Sequence, residues 1–185
     1  MADTGNLRQV ISDEYREMQE SLHEDEDYGS AAESYAPLVA LVVGQCQVGK
    51  ILDYGSGKGS LREYLPKHLI APVEIDEYDP AIPGKEETPD PAELVVCIEV
   101  LEYVEPDMLD NVLDDLVRVT DRFGFFTVST GEAKKVLPDG RNVHLIQEDA
   151  DWWWEKLSSR FKIHSFARTK TGFWLTCLKK GQNNG

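Results

Sequence analysis

Three observations predict an α/β fold: a mostly parallel sheet covered by helices on both faces, with an antiparallel strand pair at its C-terminal end. Residues 50–61, Lys-Ile-Leu-Asp-Tyr-Gly-Ser-Gly-Lys-Gly-Ser-Leu, run from an apolar stretch through a glycine-rich turn into a helix-like segment. That is the corner at which α/β folds face phosphates or nucleotides. Leu94–Ile98 is a continuous apolar run, as expected of a parallel strand buried on both faces. Apolar runs also alternate with segments of helical periodicity, which implies βα units sharing one sheet.

The elements follow in order. Residues 1–12 are expected to be a flexible N-terminus, residues 13–180 one domain and residues 181–185 a short tail. Glu14 to His23 reads as a helix ended by the acidic run Glu24–Asp27. A second helix is expected from about Ser34 to Val43, with Pro37 in its first turn, where no backbone donor is needed. Strand one is Ile51–Tyr54. The helix after the glycine turn uses Leu61, Tyr64 and Leu65 on one face and stops at Pro66. Strand two lies within Pro72–Tyr78. The following loop, Pro80 to Pro91, is rich in proline, acid and glycine, and leaves little room for another αβ unit before Leu94. Helix Asp107–Val119 shows a buried stripe of Met108, Leu109, Val112, Leu113, Leu116 and Val117. Gly124–Ser129 is the next strand. A polar connection, Gly131–Ile146, leads to a tryptophan-rich helix near Asp151–Ser159. Ile163–Arg168 and Phe173–Leu178 form the terminal antiparallel pair around Lys170-Thr171-Gly172.

Composition narrows the function. The 185 residues suit one domain with one core. The longest apolar run, Ala36–Gly44, is far short of the roughly 20 residues of a membrane span, and no signal-peptide pattern opens the chain. Cys46, Cys97 and Cys177 are scattered, without a C-x-x-C pair. A reduced, cytoplasmic setting is therefore expected, and no metal site. The net charge of −15 argues against unmodified duplex DNA as a partner. That charge is uneven: Asp13 to Glu33 carries nine acids against Arg16, whereas the segment after Glu155 carries seven Lys or Arg and no acid.

The glycine turn is the decisive motif. A dinucleotide-binding G-x-G-x-x-G starting at Gly55 would need a glycine where Ser60 stands. The pattern is instead D-x-G-x-G-x-G, from Asp53 through Gly55, Gly57 and Gly59. It resembles motif I of the class I S-adenosylmethionine-dependent methyltransferases. Y-D-P-A at 78–81, C-I-E-V-L-E-Y-V-E-P at 97–106 and L-P-D-G-R-N-V-H-L-I-Q at 137–147 extend the likeness, over roughly residues 15–160, to small stand-alone methyltransferases of bacteria and their phages. The resemblance implies the Rossmann-like methyltransferase fold and S-adenosylmethionine as methyl donor. It also implies that Tyr28 and Gly29 close over the cofactor. Neither the N/D-P-P-Y/F signature of amino-group DNA methyltransferases nor a Pro-Cys nucleophile for C5 methylation occurs.

In such a fold ligands bind beyond the carboxyl ends of the strands. The expected cofactor residues are Asp53, Gly55, Ser56 and Gly57, with backbone amides of the turn meeting the methionyl part. Asp79 and Pro80 follow strand two. A carboxylate there can accept both ribose hydroxyls, and Asp79 lies 20 residues beyond Gly59, near the ~20-residue spacing expected of such an acid; Asp76 is the alternative if the strand ends earlier. Cys97, Ile98 and Glu99 would border the methionyl part. They resemble the D-V-L-E-H motif of these enzymes, with Glu99 at the Asp position and Tyr103 replacing the His. Arg141, Asn142, His144 and Trp153 are the expected acceptor residues, with His144 the candidate general base. The expected acceptor is a small molecule, nucleotide or base. The alternatives are a non-catalytic S-adenosylmethionine-binding partner or regulator, or a methyltransferase of a protein or modified nucleic acid. The residues leave oligomeric state open.

Overall fold

The computed structural model describes residues 8–25, 29 and 31–181. Tyr28, expected to close over the cofactor, lies outside them. Six strands form one sheet in the order β2-β1-β3-β4-β6-β5: β1 (Lys50–Tyr54), β2 (Glu74–Tyr78), β3 (Ala92–Ile98), β4 (Thr120–Ser129), β5 (Phe161–Arg168) and β6 (Gly172–Lys179). The first four run parallel, and β6 joins β4 and β5 antiparallel. Between β2 and β3 the chain passes directly through the proline-rich loop, as its composition predicted.

Alternation along the strands divides the core. Ile51, Leu94, Val96, Ile98 and Phe125 face α2 (Ala31–Cys46) and α3 (Ser60–Tyr64), packing on Val39, Val43 and Leu61. Leu52, Val95, Cys97 and Phe126 face α4 (Leu109–Val119) and α5 (Ala150–Arg160), packing on Leu113, Leu116, Trp153 and Leu157. β3 is therefore buried on both sides, which is why it reads as unbroken apolar sequence. A third, smaller cluster joins Ile11 and Tyr15 to Ala81, Leu137 and Val143. It seats α1 (Asp13–His23), N-capped by Ser12, whose side chain accepts from the Tyr15 amide.

Several boundaries differ from the sequence expectation. α2 begins at Ala31, so Pro37 sits inside it and not in its first turn. Pro37 and Glu33 are both exposed, so water can satisfy the carbonyl that Pro37 cannot bond. A tight 3-10 turn, Pro106–Met108, precedes α4, so the α-helix begins at Leu109. β4 starts at Thr120 and not Gly124, because α4 passes into it without a loop; the Thr120 hydroxyl donates to the Leu116 carbonyl at 2.6 Å.

Candidate active site

A cavity of about 440 Å³ opens where the carboxyl ends of β1, β2 and β3 meet α1, the location expected for ligands of a parallel sheet. Asp53 and the Gly55–Gly57 turn line it from β1, Asp79–Ala81 from β2, and Ile98–Val100 from β3. Tyr15, Gln19 and His23 of α1 roof it, and Ala133–Lys135 and Val143 form the far wall. Gly29 also contributes.

Geometry explains the glycines. Gly55 has φ of 77°, and a Cβ there would stand 2.4 Å from Val100 Cγ2, a contact that any side chain would make untenable. Gly57 has φ of 49°, and a Cβ there would approach the His23 ring at 3.1 Å. The turn's amides are spent within the protein. Gly55 and Ser56 N–H both donate to the Tyr78 carbonyl, at 2.8 and 3.0 Å, and Gly57 N–H donates to Asp79 Oδ2 at 2.8 Å. This corrects the expectation that these amides meet the ligand; what the turn offers is close backbone approach. Ser56 does present a polar group: its buried hydroxyl has no hydrogen-bond partner among the described residues.

The acids differ in character. Asp53 is buried, and loss of hydration, reinforced by Glu77 and Asp79, pushes its carboxyl up to about 7. Asp79 Oδ1 accepts from the Ala81 amide at 2.9 Å while Oδ2 holds Gly57, so this carboxylate shapes the turn as well as facing the cavity. β2 ends at Tyr78, immediately before Asp79, whereas Asp76 pairs with Lys50 at 2.7 Å away from the cavity. Glu77 escaped the sequence reading. It faces the turn beside Gly59 but is bound by Arg62 at 2.7 Å and Lys85 at 3.1 Å. Glu99 adopts φ of 50°, its amide donating to both the carbonyl and hydroxyl of Thr127, at 3.2 and 3.0 Å.

Of the β3 trio, Ile98 and Glu99 line the cavity, while the Cys97 side chain is buried in the opposite core face and its thiol is pushed up by burial. The acceptor group is not brought together. Trp153 is fully buried in the core, packing edge-on against Trp152 at 5.0 Å, and does not line this cavity: α5 turns it into the core and leaves Trp154 exposed. Arg141 is exposed and paired with Asp139 at 2.6 Å. Asn142 is absorbed by its own loop, taking the Ala133 and His144 amides at 3.1 and 2.9 Å and donating to the Ala133 carbonyl at 2.9 Å. His144 is buried behind the cavity wall. Its Nδ1 lies 2.7 Å from the Gly131 carbonyl and its ring meets Tyr103 edge-on at 4.8 Å.

α1 supplies what sequence reading missed. Ser12 donates to Glu105 through backbone and hydroxyl, at 2.8 and 2.7 Å. Tyr15 donates to the Tyr103 carbonyl at 2.6 Å and accepts from Gln19 at 2.5 Å. His23 stands over Gly57, and burial lowers its proton affinity despite nearby Asp79. In the sequence this segment read only as a helix, with Tyr15, Leu22 and His23 part of the likeness to small methyltransferases and given no role of their own.

By sequence, no family model matches the chain and no curated protein does. Its structure is similar to that of Burkholderia thailandensis 1,6-didemethyltoxoflavin-N1-methyltransferase, with bound 1,6-didemethyltoxoflavin and S-adenosylhomocysteine: TM-score 0.65, 15% identity, 97% of each chain covered. The fold is that of the S-adenosylmethionine-dependent methyltransferases. A methyltransferase of this kind from Aquifex aeolicus gives a TM-score of 0.58 at 14% identity, covering 86% of this chain and 98% of that one. Magnesium protoporphyrin IX methyltransferase from Synechocystis PCC 6803, with bound S-adenosylhomocysteine, gives 0.56 at 13%, covering 94% and 90%. The Rossmann-like reading of the sequence therefore stands, including its C-terminal antiparallel pair.

Proposed function

We infer that the protein binds S-adenosylmethionine and transfers its methyl group to a small acceptor, a small molecule, nucleotide or base. The observation carrying this reading is the pair of ligand-ready groups in the cavity, a buried Asp53 carboxyl and an unpartnered Ser56 hydroxyl, on a methyltransferase sheet. Both suit a cationic, polar ligand end: ionised Asp53 would attract positive charge, and Ser56 would gain the bond it lacks. Asp79 would accept from the ribose hydroxyls, the apolar stretch Pro80–Ala81 would border the nucleoside, and Ile98–Glu99 would border the methionyl part. When bound, S-adenosylmethionine supplies a methyl group on a sulfonium cation. The chain's own contribution is positioning and exclusion of water beneath α1, the source of most rate enhancement where little covalent chemistry is needed.

The roof of α1 favours acceptors small enough to enter a cavity of about 440 Å³. The polar residues of the 139–147 loop no longer argue for an enzyme over a binding module, since Asn142 and Arg141 bond their own loop. Glu99, an acid inside the cavity, takes over that argument. Among the described residues no helix is long and apolar enough to cross a membrane.

Calorimetric titration tests the reading. S-adenosylmethionine and S-adenosylhomocysteine should both give saturable heat and NAD none. Binding of NAD with neither of the other two would overturn it.

A further inference from the structure

We propose that Glu99 is the acceptor-facing base of this cavity and that the acceptor is a small nitrogen compound, an amine or azole, presenting an N–H to it. The proposal rests on the S-adenosylmethionine reading above and adds the acceptor's chemistry.

Position comes first. Glu99 follows the end of β3 and lines the same cavity as the glycine turn and as Tyr103, Ala133 and Val143. It holds φ of 50° without being glycine or asparagine. A residue with a Cβ in that conformation costs about 1 kcal/mol or more, and such strain persists where surrounding structure imposes it. Here the two bonds to Thr127 impose it.

Availability comes second. Glu77 is committed to Arg62 and Lys85, Glu105 to Ser12, and Asp79 to two backbone amides. Glu99 forms no ion pair with Lys or Arg among the described residues, and its polar neighbours are few. The Ser129 hydroxyl bonds it, and His144 lies close enough for its charge to favour the carboxylate.

The groups behind Glu99 form a tuned set. Glu102 is fully buried, and burial pushes its carboxyl up to about 8, although the Ser129 amide donates to Oε1 at 2.8 Å. It therefore stands neutral at pH 7, and it shares Ser129 with Glu99. Tyr35 of α2 bonds the Thr127 side chain and lies within electrostatic reach of both carboxyls. Burial raises the proton affinity of Glu99 while Ser129 and His144 hold it in check. Two neighbouring carboxyls, one neutral and one facing ligand, mark an acid–base assignment.

This set selects nitrogen. A hydroxyl is a good nucleophile only after losing its proton, which for a phenol happens near pH 10, beyond a carboxylate's reach, whereas a neutral nitrogen attacks through its lone pair with its proton still in place. The nitrogen's lone pair would form the new bond to the methyl carbon as the methyl–sulfur bond breaks, its pair staying on sulfur; the nitrogen is then positively charged and its N–H acidic. That N–H bond breaks, its electron pair stays on nitrogen and cancels the charge, and the proton joins a Glu99 oxygen. His144, buried with Nδ1 on the Gly131 carbonyl, is a positioning residue and not the base first expected.

The test saturates the protein with S-adenosylhomocysteine and titrates it calorimetrically with 2-aminobenzimidazole, and separately with 2-naphthol as a hydroxyl probe of similar size. The wild type should favour the amine by about tenfold or more, and Glu99→Gln should lose that preference while keeping its affinity for 2-naphthol. Should Glu99→Gln melt early, Glu99→Asp replaces it and should keep the amine preference at reduced affinity. His144→Gln should move the pH midpoint of amine binding upward, because a charge favouring ionised Glu99 is lost; a purely structural His144 would leave the midpoint in place. Equal amine affinity in wild type and Glu99→Gln, a preference for 2-naphthol, or no heat with the amine overturns the proposal. Absence of heat with S-adenosylhomocysteine itself would instead overturn the cofactor reading.

Discussion

Asp53→Asn separates folding from binding at the centre of the site. The wild-type carboxyl is buried, and desolvation pushes it from an ordinary 3.8 up to about 7. At ~1.4 kcal/mol for each tenfold change in proton affinity, this corresponds to about 4 kcal/mol. The sign follows from which state ionises first. Below about pH 4 the group is neutral folded and unfolded, and its stability contribution is intact. Between about pH 4 and 7 the unfolded chain ionises while the folded one keeps its proton, so stability drains away as pH rises. Above about pH 7 the loss is complete.

Asparagine has almost the same shape and no charge to desolvate. The variant should therefore gain on the wild type as pH rises, the gap widening by about 2 kcal/mol between about pH 5.5 and pH 8.5. For a chain of this size that is about 4–8 °C in Tm. Comparing the two pH values cancels any fixed difference between the side chains. Scanning calorimetry of the ligand-free proteins reads the gap, and titration with S-adenosylmethionine supplies the other half. Wild-type affinity should rise with pH through about 7, as Asp53 ionises, and Asp53→Asn should bind more weakly by about 1.5–3 kcal/mol with that pH dependence removed. Parallel stability curves would refute the buried neutral carboxyl; unchanged affinity in the variant would refute its role toward a cationic ligand.

The other predictions concern the turn, the far wall and the roof. Asp79→Ala strands the Gly57 and Ala81 amides, so it should lower Tm as well as weaken S-adenosylmethionine binding by about 1.5–3 kcal/mol; Asp76→Ala should do neither to a comparable degree, as paired titrations and melts would show. Asn142→Ala breaks three loop hydrogen bonds and should cost about 1–3 kcal/mol in chemical denaturation, whereas Arg141→Ala, removing only an exposed pair, should stay within about 0.5 kcal/mol. Tyr15→Phe removes the bonds to the Tyr103 carbonyl and Gln19 and should speed S-adenosylhomocysteine dissociation in stopped-flow, with a stability loss of about 1–2 kcal/mol.

Legibility in the sequence followed the reach of each signal. β3 was readable because burial on both faces leaves an unbroken apolar run, and the direct passage from β2 to β3 was readable because Pro80–Pro91 can hold neither helix nor strand. Asp79 was preferred to Asp76 because Pro80 follows it, and β2 does end at Tyr78. The far wall misled because an amide or guanidinium in a polar loop looks the same whether it awaits a ligand or ties its own loop; Asn142 bonds the loop's backbone and Arg141 the Asp139 carboxylate. Trp153 depended on the rotation of α5, which three consecutive tryptophans do not define. Glu102 looks like a solvating charge beside Glu99, and only the packing of β4 and Ile146 over it reveals full burial. The role of α1 depends on partners at Tyr103, Glu105 and Lys135, far away in sequence.

The roof and the shortened sheet are connected. With only a loop between β2 and β3, no further αβ unit flanks the cavity beside Asp79 and Pro80. The segment before α1 lies there, with Val10 and Ile11 lining the cavity near Pro80, Val104 and Glu105. α1 is thus fixed by Ile11 and Tyr15 in a cluster separate from the two cores on the sheet. Met18 and Leu22 pack against the same cluster, and polar anchors add to it: Ser12 on Glu105, Tyr15 on Tyr103, and the Asp25–Lys135 pair at 2.6 Å that reaches the far wall. Such attachment belongs to the low-stability end of a protein, where segments open locally while the core stays folded. Residues of α1 belong to neither of the two sheet cores, so its local release would leave both intact. The direct passage from β2 to β3 thus leaves this rim of the cavity to the segment leading into α1, and Tyr15, joining the apolar cluster to the bonds on Tyr103 and Gln19, is a side chain whose loss would loosen that hold.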